Sequence, residues 1–217
     1  SITGNVDNPG GRCVAVGASW KYPKGPKNKP KSRKLKIGDG LPGAAALPTH
    51  HVSHQVLKMI KDGSHGRPDI YMWYCYTPFY ANGEVQENID ILKDESLIPF
   101  TVAVNPFYDE STALADLILP DTPYTERWGY EDMVSPAQIP EYYIRQPATK
   151  PLGEARDFGN VCIELADRMG FPLGVASHEE FVMKACEKTK AVKAAGGFEY
   201  MKANGVYHDP KAKPKFY

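Results

Sequence analysis

The stretch DIYMWYCYTPFYANGEVQENIDILKDESLIPFTVAV, residues 69–104, decides the fold that we predict for this chain. Its first and last segments, 69–76 and 97–104, are almost continuously apolar, as strands buried on both faces of a sheet are. Between them, the apolar residues of EVQENIDILKD recur at the spacing of one helix face. A strand, a helix and a second strand in this order predict a βαβ unit with parallel strands and a right-handed crossover.

Further elements are predicted on either side of this unit. Residues 49–63 have helical periodicity, with Thr49 as the N-cap and Gly63 as the C-cap. STALAD (111–116) is predicted as a short helix, and LILP (117–120) as a third short strand. The predicted fold class is therefore α/β, with a Rossmann-like parallel sheet flanked by helices.

The last third of the chain is predicted to contain further helices. ARDFGNVCIELADRMG forms a helix that ends at Gly170, and SHEEFVMKACEK begins with Ser177 and Glu180 in the spacing of a capping box. A final helix runs through GFEYMKAN to Gly205. The helical period places four apolar residues on one face of the first of these helices: Phe158, Cys162, Leu165 and Met169.

The distribution of Pro, Gly and Lys predicts three parts. Residues 1–48 are an extended lead-in segment with a basic loop, and residues 49–170 are the α/β domain. Within that domain, residues 121–156 contain five prolines and are predicted as a long surface excursion without regular structure. Residues 171–217 form a helical carboxyl-terminal segment.

Composition limits the classes of function. The 217 residues are 42% hydrophobic and 24% charged, which suits a globular chain with a substantial core. No apolar run approaches the roughly 20 residues of a membrane-spanning helix, so we expect no direct membrane insertion. The formal net charge is zero, so we expect no nucleic-acid partner. The basic segments 21–36 and 209–217 are interpreted as solvated loops.

The four cysteines do not have the spacing of a metal site. Cys13, Cys75, Cys162 and Cys186 form no CxxC pair, which argues against a zinc or iron–sulfur site. The last three lie in apolar segments and are predicted to be core residues.

Signatures of a reaction centre are weak. The chain has no GxGxxG, Walker or GxSxG motif. His50 and His54 are four residues apart on a predicted helix, a spacing that suits two metal ligands. However, His51 stands where the glutamate of an HExxH motif would be, so a metallohydrolase is only a third alternative.

Two polar loops are predicted to share one edge of the sheet. TPFYANG (77–83) follows the first strand and NPFYDES (105–111) the second, and parallel strands send such loops to the same edge. Ligands of open α/β sheets bind there, although ordinary polar turns are the alternative interpretation. Pro78 and Pro106 stiffen the loops. The side chains expected to meet a nucleotide-like ligand are Thr77, Asn82, Asn105, Asp109 and Ser111.

Several motifs, in this order along the chain, resemble one known family. They are ITGNVDNPGG, a strand ending in a Thr-Pro or Asn-Pro step, VAVNPFYDESTALADLILPDTPYTERWG, and QPATKPLGEARDFGNVCIELADRMG. They resemble the central part of molybdopterin oxidoreductase catalytic subunits, the dimethyl sulfoxide reductase family, over roughly residues 2–10 and 66–170. LPDTPYTERWG and IRQPATKPLGEA are most similar to the branch of thiosulfate, polysulfide, tetrathionate and arsenate reductases.

The resemblance implies a cofactor and a set of contacts. Members of the family hold molybdenum or tungsten between two molybdopterin guanine dinucleotides, and this segment resembles an α/β domain that binds one guanine dinucleotide arm. The matching positions are Thr77, Pro78, Asn105, Arg127 and Asp157. By resemblance, Asn105 and Asp157 accept hydrogen bonds from guanine or ribose, and Arg127 meets a phosphate.

The sequence departs from the family pattern at both loops. Thr77 stands where Asn is common, and Pro106 follows Asn105 where some members carry Asp. These two differences change the hydrogen-bonding groups that the two loops offer.

The parts of such an enzyme that react are missing from the sequence. The chain starts at Ser1, without an initiator Met, and lacks an iron–sulfur cysteine cluster, an assignable metal ligand and the family's carboxyl-terminal barrel. We therefore expect an excised domain that is inactive and binds no cofactor alone. Its expected partners are the remaining domains of the same subunit, together with an iron–sulfur electron-transfer subunit. The full enzyme is expected to reduce a sulfur or other oxyanion.

Two questions stay open at this point. The full enzyme is expected in the periplasm or on the outer face of a membrane, with the cytoplasm not excluded. The alternative to an excised domain is a free-standing α/β module that binds a nucleotide or a protein without catalysis.

Overall fold

The structure is a computed structural model, which describes four ranges of the chain: 18–27, 55–63, 66–134 and 139–214. The chain divides into two compact units. The first, called the α/β unit, comprises Pro30–Thr122 and Gly153–Arg156. The second, called the mixed unit, comprises Ser1–Lys29, Pro123–Leu152 and Asp157–Tyr217. The domain limits expected at residues 48 and 170 stay a prediction.

The α/β unit contains a three-stranded parallel sheet in the order β1, β2, β3. This confirms the predicted α/β fold with its βαβ unit and third strand. A short 3-10 helix, Thr112–Leu114, stands where STALAD predicted a short helix. The numbered elements in chain order are α1 (Val56–Asp62), β1 (Tyr71–Tyr74), α2 (Pro78–Ala81), α3 (Val85–Lys93), β2 (Thr101–Asn105) and β3 (Leu117–Pro120).

Strand β2 is the centre of this sheet, and all five of its residues are buried. The prediction of burial on both faces is correct for β2 but wrong for β1, where Met72 and Tyr74 are exposed. Among the described residues β1 is an edge strand that pairs with β2, and its alternating side chains face the core at Trp73 and solvent at Met72 and Tyr74. The core of this unit consists of Leu57, Ile60, Trp73, Phe79, Ile91, Leu92, Ile98 and Ala103.

Helix α1 ends as predicted at Gly63, which has a left-handed backbone with φ 70° and donates its N–H to the carbonyl of Met59. The predicted start of this helix at Thr49 lies outside the described residues. Lys61 forms an ion pair with Glu87 at 2.8 Å, which joins α1 to α3 on the solvent side.

The described residues of the mixed unit form an antiparallel sheet in the order β4, β5, β6, together with four α-helices. Its elements are β4 (Gly129–Val134), β5 (Pro140–Arg145), α4 (Phe158–Arg168), α5 (His178–Lys188), α6 (Lys190–Ala194), α7 (Gly197–Asn204) and β6 (Val206–His208). The prediction of no regular structure over 121–156 was wrong, because this range contains β4 and β5. Pro140 occupies the first position of β5, and Pro123, Pro147 and Pro151 lie outside the strands, so these prolines flank the hairpin rather than interrupt it.

The core of the mixed unit forms beneath its sheet and includes part of the amino-terminal segment. Trp20 is buried and donates its indole N–H to the carbonyl of Glu131 at 2.9 Å. Its ring also meets Tyr142 edge-to-face, with centroids 5.1 Å apart. The buried members of this core are Trp20, Ile144, Val182, Ala185, Cys186, Val192, Phe198 and Met201.

For the helices of the mixed unit, the predicted ends are more accurate than the predicted buried faces. α5 has the predicted cap, since the Ser177 side chain accepts the N–H of Glu180. In α4, however, Ile163 is the buried residue, while Leu165 and Met169 are exposed. The apolar stripe predicted for α4 therefore finds no full cover among the described residues. α7 ends at Gly205 as predicted.

The described cysteines differ in burial. Cys186 is fully buried, and burial raises the pKa of its thiol to about 12. Cys162 is half-buried, and Cys75 is exposed, so its prediction as a core residue was wrong. Cys75 directly follows the edge strand β1 and has φ 47°, which turns the chain out of the sheet. Cys13 lies outside the described residues.

None of the helices in the described part of the chain is both long enough and apolar enough to span a membrane.

Candidate functional site

The α/β unit has a cavity of about 390 Å³ at the carboxyl ends of β1 and β2. The two loops expected to share this edge of the sheet do so, because both contribute to its lining. The parallel pairing of β1 with β2 produces this arrangement, since both strands end at the same edge. The lining residues are Cys75, Tyr76, Thr77, Ala81, Asn105, Pro106, Phe107 and Asp109.

The first loop turns sharply into a short helix. Cys75 keeps a sheet-like hydrogen bond from its N–H to the carbonyl of Val104 at 2.9 Å. Thr77 is half-buried, and its carbonyl accepts the N–H of Ala81 at 3.0 Å. Pro78 is the first residue of α2, a position that needs no N–H donor. The loop therefore presents Thr77 to the cavity from a closed turn.

Tyr76 and Asn82 hydrogen-bond to each other across this first loop. The amide nitrogen of Asn82 lies 2.9 Å from the Tyr76 hydroxyl oxygen. Tyr76 lines the cavity, whereas Asn82, a predicted contact, is outside the lining. Asn82 thus acts on the site through Tyr76.

The second loop is organised around the buried side chain of Asn105. Its amide nitrogen donates to Asp109 Oδ2 at 3.0 Å and to Thr112 Oγ1 at 3.3 Å. Its amide oxygen accepts the N–H of Phe107 at 3.1 Å. Both N–H donors of the Asn105 side chain are therefore used inside the protein. Asn105 fixes the shape of the loop, a role that the sequence did not indicate.

The carboxylate of Asp109 is held from two sides. Oδ1 accepts the backbone N–H of Thr112 at 2.7 Å, and Oδ2 accepts the side chain of Asn105. A carboxylate has about four acceptor positions, so each oxygen keeps capacity for one further donor. Ser111, another predicted contact, is fully buried outside the cavity lining, and its hydroxyl has no hydrogen-bond partner among the described residues.

The remaining predicted contacts, Arg127 and Asp157, belong to the mixed unit. Arg127 is half-buried and lies between the 3-10 helix Tyr124–Glu126 and β4. The structure thus brings Thr77 and Asn105 to one cavity within the α/β unit.

Asp157 is buried and caps the amino terminus of α4. Its Oδ1 accepts the N–H of Gly159 at 2.8 Å, and its Oδ2 lies 2.7 Å from Nδ1 of His178. A Cβ on Gly159 would stand 2.6 Å from that same nitrogen, so glycine is needed for the approach of the imidazole. Asn160 completes the junction by accepting the N–H of His178 at 2.8 Å. Sequence reasoning did not identify His178, although its position next to the Ser177 cap places it at a helix start.

The described residues contain no group of three or more His, Cys, Asp or Glu side chains arranged to hold a metal ion. The alternative metal site at His50 and His54 lies outside them.

The topology and the cavity together define a Rossmann-like α/β segment with a cavity at the carboxyl edge of its sheet. No protein-family model matches the chain. Among curated proteins it is 31% identical over 145 residues to the menaquinone reductase molybdopterin-binding-like subunit of Nitratidesulfovibrio vulgaris, covering 66% of this chain and 19% of that protein. It is also 27% identical over 180 residues to a tetrathionate reductase subunit of Salmonella typhimurium, covering 77% of this chain and 18% of that protein.

A solved structure shares the fold. Acetylene hydratase from Pelobacter acetylenicus superimposes with a TM-score of 0.54 at 14% identity, over 84% of this chain and 24% of that one. The sequence similarities confirm that the chain is related to molybdopterin oxidoreductase subunits, and the structural similarity shows the shared fold. The chain spans about a fifth of the length of the two curated relatives.

Proposed function

We propose that the cavity at the carboxyl ends of β1 and β2 binds one guanine dinucleotide arm of a molybdopterin cofactor. The supporting observation is that two βα loops line one cavity with hydrogen-bonding groups at the sheet edge where ligands of open α/β sheets bind. The relationship to molybdopterin oxidoreductase subunits supplies the class of ligand.

The residues present fit part of such an arm. The volume of about 390 Å³ lies within the range of about 300–1,000 Å³ that small-molecule sites have. That volume suits a nucleoside-sized portion of the arm. The walls contributed by one unit bury only part of a ligand, so we expect weak binding, with a Kd of about 1 mM for a free nucleotide.

Each predicted contact has a role under this proposal. Thr77 meets the ligand directly, and Pro78 fixes the turn that presents it. Asn105 holds Asp109 through its amide nitrogen, and its amide oxygen keeps one acceptor position for the role that the resemblance implies. Arg127 and Asp157 keep the roles implied by the resemblance, towards phosphate and towards guanine or ribose respectively.

For the whole protein, we propose a molybdenum- or tungsten-dependent oxidoreductase that acts on a sulfur oxyanion or a related oxyanion. The support is the name of one relative, a tetrathionate reductase subunit. When bound, the metal cofactor supplies the redox chemistry, while the residues of this chain bind and orient its guanine arm. The chain alone is then inactive.

The proposal includes partners and a location. The remaining domains of the same subunit complete the cofactor site, and an iron–sulfur subunit supplies electrons. The enzyme works in the periplasm or on the outer face of a membrane.

One observation favours the alternative of a free-standing binding module. The cavity in the α/β unit is lined by residues of that unit alone, so it needs no other domain in order to exist. The flanking reading frame separates the two proposals: cysteine codons upstream in the same frame support the oxidoreductase, and a start codon just before Ser1 supports the module.

Nucleotide binding is tested on the full chain by titrating isotope-labelled protein with GMP and following the backbone amides by NMR. We expect chemical-shift changes concentrated in 75–81 and 105–112. Absence of such changes at 10 mM GMP would refute binding in the cavity. Replacing Thr77 by valine keeps the size of the side chain and removes its hydroxyl, and we expect it to weaken binding. The exposed Thr125 of the mixed unit, replaced in the same way, is the matched control.

The proposal for the whole protein has a separate test. The complete gene product, purified from its source, is expected to contain molybdenum or tungsten together with GMP released by hydrolysis of the cofactor. A metal-free and nucleotide-free protein from metal-replete cells would contradict the oxidoreductase proposal.

A further inference from the structure

Helix α4 has apolar residues on two of its sides, and the described part of the mixed unit fully buries only one of them. The other side, called the outer stripe, consists of Phe158, Val161, Cys162 and Leu165 of the helix together with Met169 at its C-cap. We infer that the outer stripe is the docking surface for an apolar helix of the same polypeptide that lies outside this chain. This inference rests on the proposal that the chain is one part of a larger subunit, and it concerns residues that are not part of the cavity lining.

The helical period separates the two sides of α4. Successive residues of an α-helix are about 100° apart, so the five residues of the outer stripe lie within about 100° of one another. The buried Ile163 lies about 140° from the centre of the outer stripe by the same count. The side of α4 that packs into the mixed unit is therefore different from the side that carries the outer stripe.

The outer stripe becomes more exposed towards the end of the helix. Phe158, Val161 and Cys162 are half-buried, whereas Leu165 is 47% exposed and Met169 is 60% exposed. Apolar side chains that recur every three to four residues are typical of a helix that packs along another helix. A short helix is stabilised mainly by packing of its apolar face, so α4 gains stability when the outer stripe is covered.

The start of α4 is held in place by the junction with α5. Asp157 accepts the N–H of Gly159 and lies 2.7 Å from Nδ1 of His178. Asn160 accepts the backbone N–H of His178 at 2.8 Å. The outer stripe is thus presented in a fixed direction, and a preorganised surface loses less conformational entropy when it binds.

The charges beside the outer stripe indicate which kind of partner surface fits it. The outer stripe itself contains no charged residue. Arg168 and Glu164 form an ion pair with each other, so neither requires a charge from the partner. Glu164 and Asp167 are acidic, whereas a helix that lies on a membrane surface carries basic residues beside its apolar face. The complementary occupant is therefore an uncharged, apolar face of a protein helix.

The size of the outer stripe favours the rest of the same polypeptide over a second copy of this chain. A helix of 11 residues is about 16 Å long and about 10 Å wide, so one side of it buries roughly a few hundred Å² per partner. A stable complex of separate molecules needs about 800 Å² per partner. A segment of the same polypeptide has a high effective concentration, so a smaller surface suffices. The chain spans 19% and 18% of the lengths of two curated relatives, so most of such a subunit is left to supply that segment.

Oxidation of methionine by dilute hydrogen peroxide tests whether the outer stripe is covered. The rate at Met169 is measured by mass spectrometry in this chain and in the complete gene product, with a free methionine peptide in each sample as reference. We expect oxidation of Met169 to be about tenfold slower in the complete product. The matched control is Met183 on α5, which is 36% exposed and outside the outer stripe, and its rate should be similar in both proteins.

Three results of this footprint overturn the inference. The first is an equal rate at Met169 in the two proteins, which shows that nothing covers the outer stripe. The second is slow oxidation of Met169 already in this chain, which shows that the outer stripe is not open. The third is equal protection of Met183, which shows a cover over the whole unit instead of docking on one side of α4.

Two variants test the outer stripe directly. In the complete product, Leu165→Ser should raise the oxidation rate of Met169 about tenfold, because it removes an apolar contact from the centre of the interface. Asp167→Ser should not, because Asp167 lies on the opposite side of the helix. In this chain, neither variant should change the rate by more than about twofold, since the outer stripe is already open. Equal effects of the two variants in the complete product contradict the inference, and if Leu165→Ser fails to fold, the footprint of the unaltered proteins decides.

The other occupant and the proposed function are tested separately. Sedimentation should show this chain as a monomer; a dimer that Leu165→Ser dissociates and Asp167→Ser retains assigns the outer stripe to a second copy and overturns the inference. A complete product that contains molybdenum or tungsten but oxidises rapidly at Met169 also overturns the inference and leaves the proposed function standing. A product without metal and nucleotide in which Met169 is protected contradicts the proposed function and supports the inference.

Discussion

Replacing Asn105 by alanine should loosen the second loop of the cavity without unfolding the sheet. The substitution removes three hydrogen bonds, to Asp109, to Thr112 and from the N–H of Phe107. A hydrogen bond of this kind contributes about 1 kcal/mol net, so the closed loop should lose about 3 kcal/mol relative to the open loop. Since 1.4 kcal/mol corresponds to a factor of about ten, local opening should become about 100-fold more frequent.

Hydrogen exchange measures this opening directly. The N–H of Thr112 is bonded to Asp109, a side chain of the loop that the substitution leaves in place, so its protection reports closure of the loop. The N–H of Phe107 loses its own acceptor in this variant and therefore does not report closure. We expect the amide of Thr112 to exchange about 100-fold faster in Asn105→Ala, while amides in the centre of β2 change little.

The matched control is Asn82→Ala in the first loop. The Asn82 side chain bonds to Tyr76 and not to the second loop, so exchange at Phe107 and Thr112 should stay as in the unaltered chain. If protection at the amide of Thr112 falls by less than about threefold in Asn105→Ala, the Asn105 side chain does not hold the loop in its closed form.

Three further perturbations have definite expected outcomes. Thr101 donates two hydrogen bonds to Asp116 and lowers the pKa of this carboxyl in the folded state, so its contribution to stability is complete above the ordinary pKa of Asp and is lost as the pH falls through the lowered value. In urea titrations at pH 2–5, Asp116→Asn should lack this acid-sensitive part of the stability. If the stability of the variant depends on pH in the same way as that of the unaltered chain, the reasoning is wrong. Gly159→Ala should destabilise the mixed unit by about 1–2 kcal/mol in urea unfolding. The new Cβ displaces the His178 imidazole from Asp157, and the cost of losing that contact exceeds the gain from the higher helix propensity of alanine. Unchanged stability would show that the imidazole can move without cost. In native protein, iodoacetamide should modify the exposed Cys75 rapidly and leave Cys186 unmodified, as mass spectrometry of peptides can verify; early modification of Cys186 would refute its burial.

The parallel sheet could be predicted because its information is local. Continuous apolar segments, an amphipathic segment between them and the turn residues after each strand determine a βαβ unit. The same topology brought Thr77 and Asn105 to one edge. The helix ends at Gly63 and Gly205 could be predicted for the same reason, since a glycine with a left-handed backbone directly after a helical segment is a local feature of the sequence.

Features that depend on distant partners could not be predicted. Prolines between 121 and 156 suggested irregular structure, but whether a proline interrupts a strand or begins it depends on pairing with β4, which composition does not contain. The spacing of the apolar residues predicted α4 correctly, yet Leu165 and Met169 are exposed. The spacing identifies an apolar face, but it contains no information about which element packs against that face.

The direction in which Asn105 points was also beyond the sequence. Asparagine after a strand suits a ligand contact and a loop anchor equally well. The positions of Asp109 and Thr112 show the anchor, and the ligand contact stays a prediction. The contact of His178 with Asp157 could not be predicted either, because the two residues are 21 positions apart in the sequence.

The order of the two units along the chain has a consequence for synthesis on the ribosome. The strands of the α/β unit lie between Tyr71 and Pro120, so its sheet can pair while the rest of the chain is still being made. The mixed unit has to wait, because Trp20 bonds to a residue 111 positions downstream and β5 pairs with β6 near the end of the chain. Closing such long loops is slow. A nascent chain stalled before Val206 would contain a complete parallel sheet, but the edge of β5 that pairs with β6 would be unpaired. An unpaired strand edge binds chaperones and promotes aggregation.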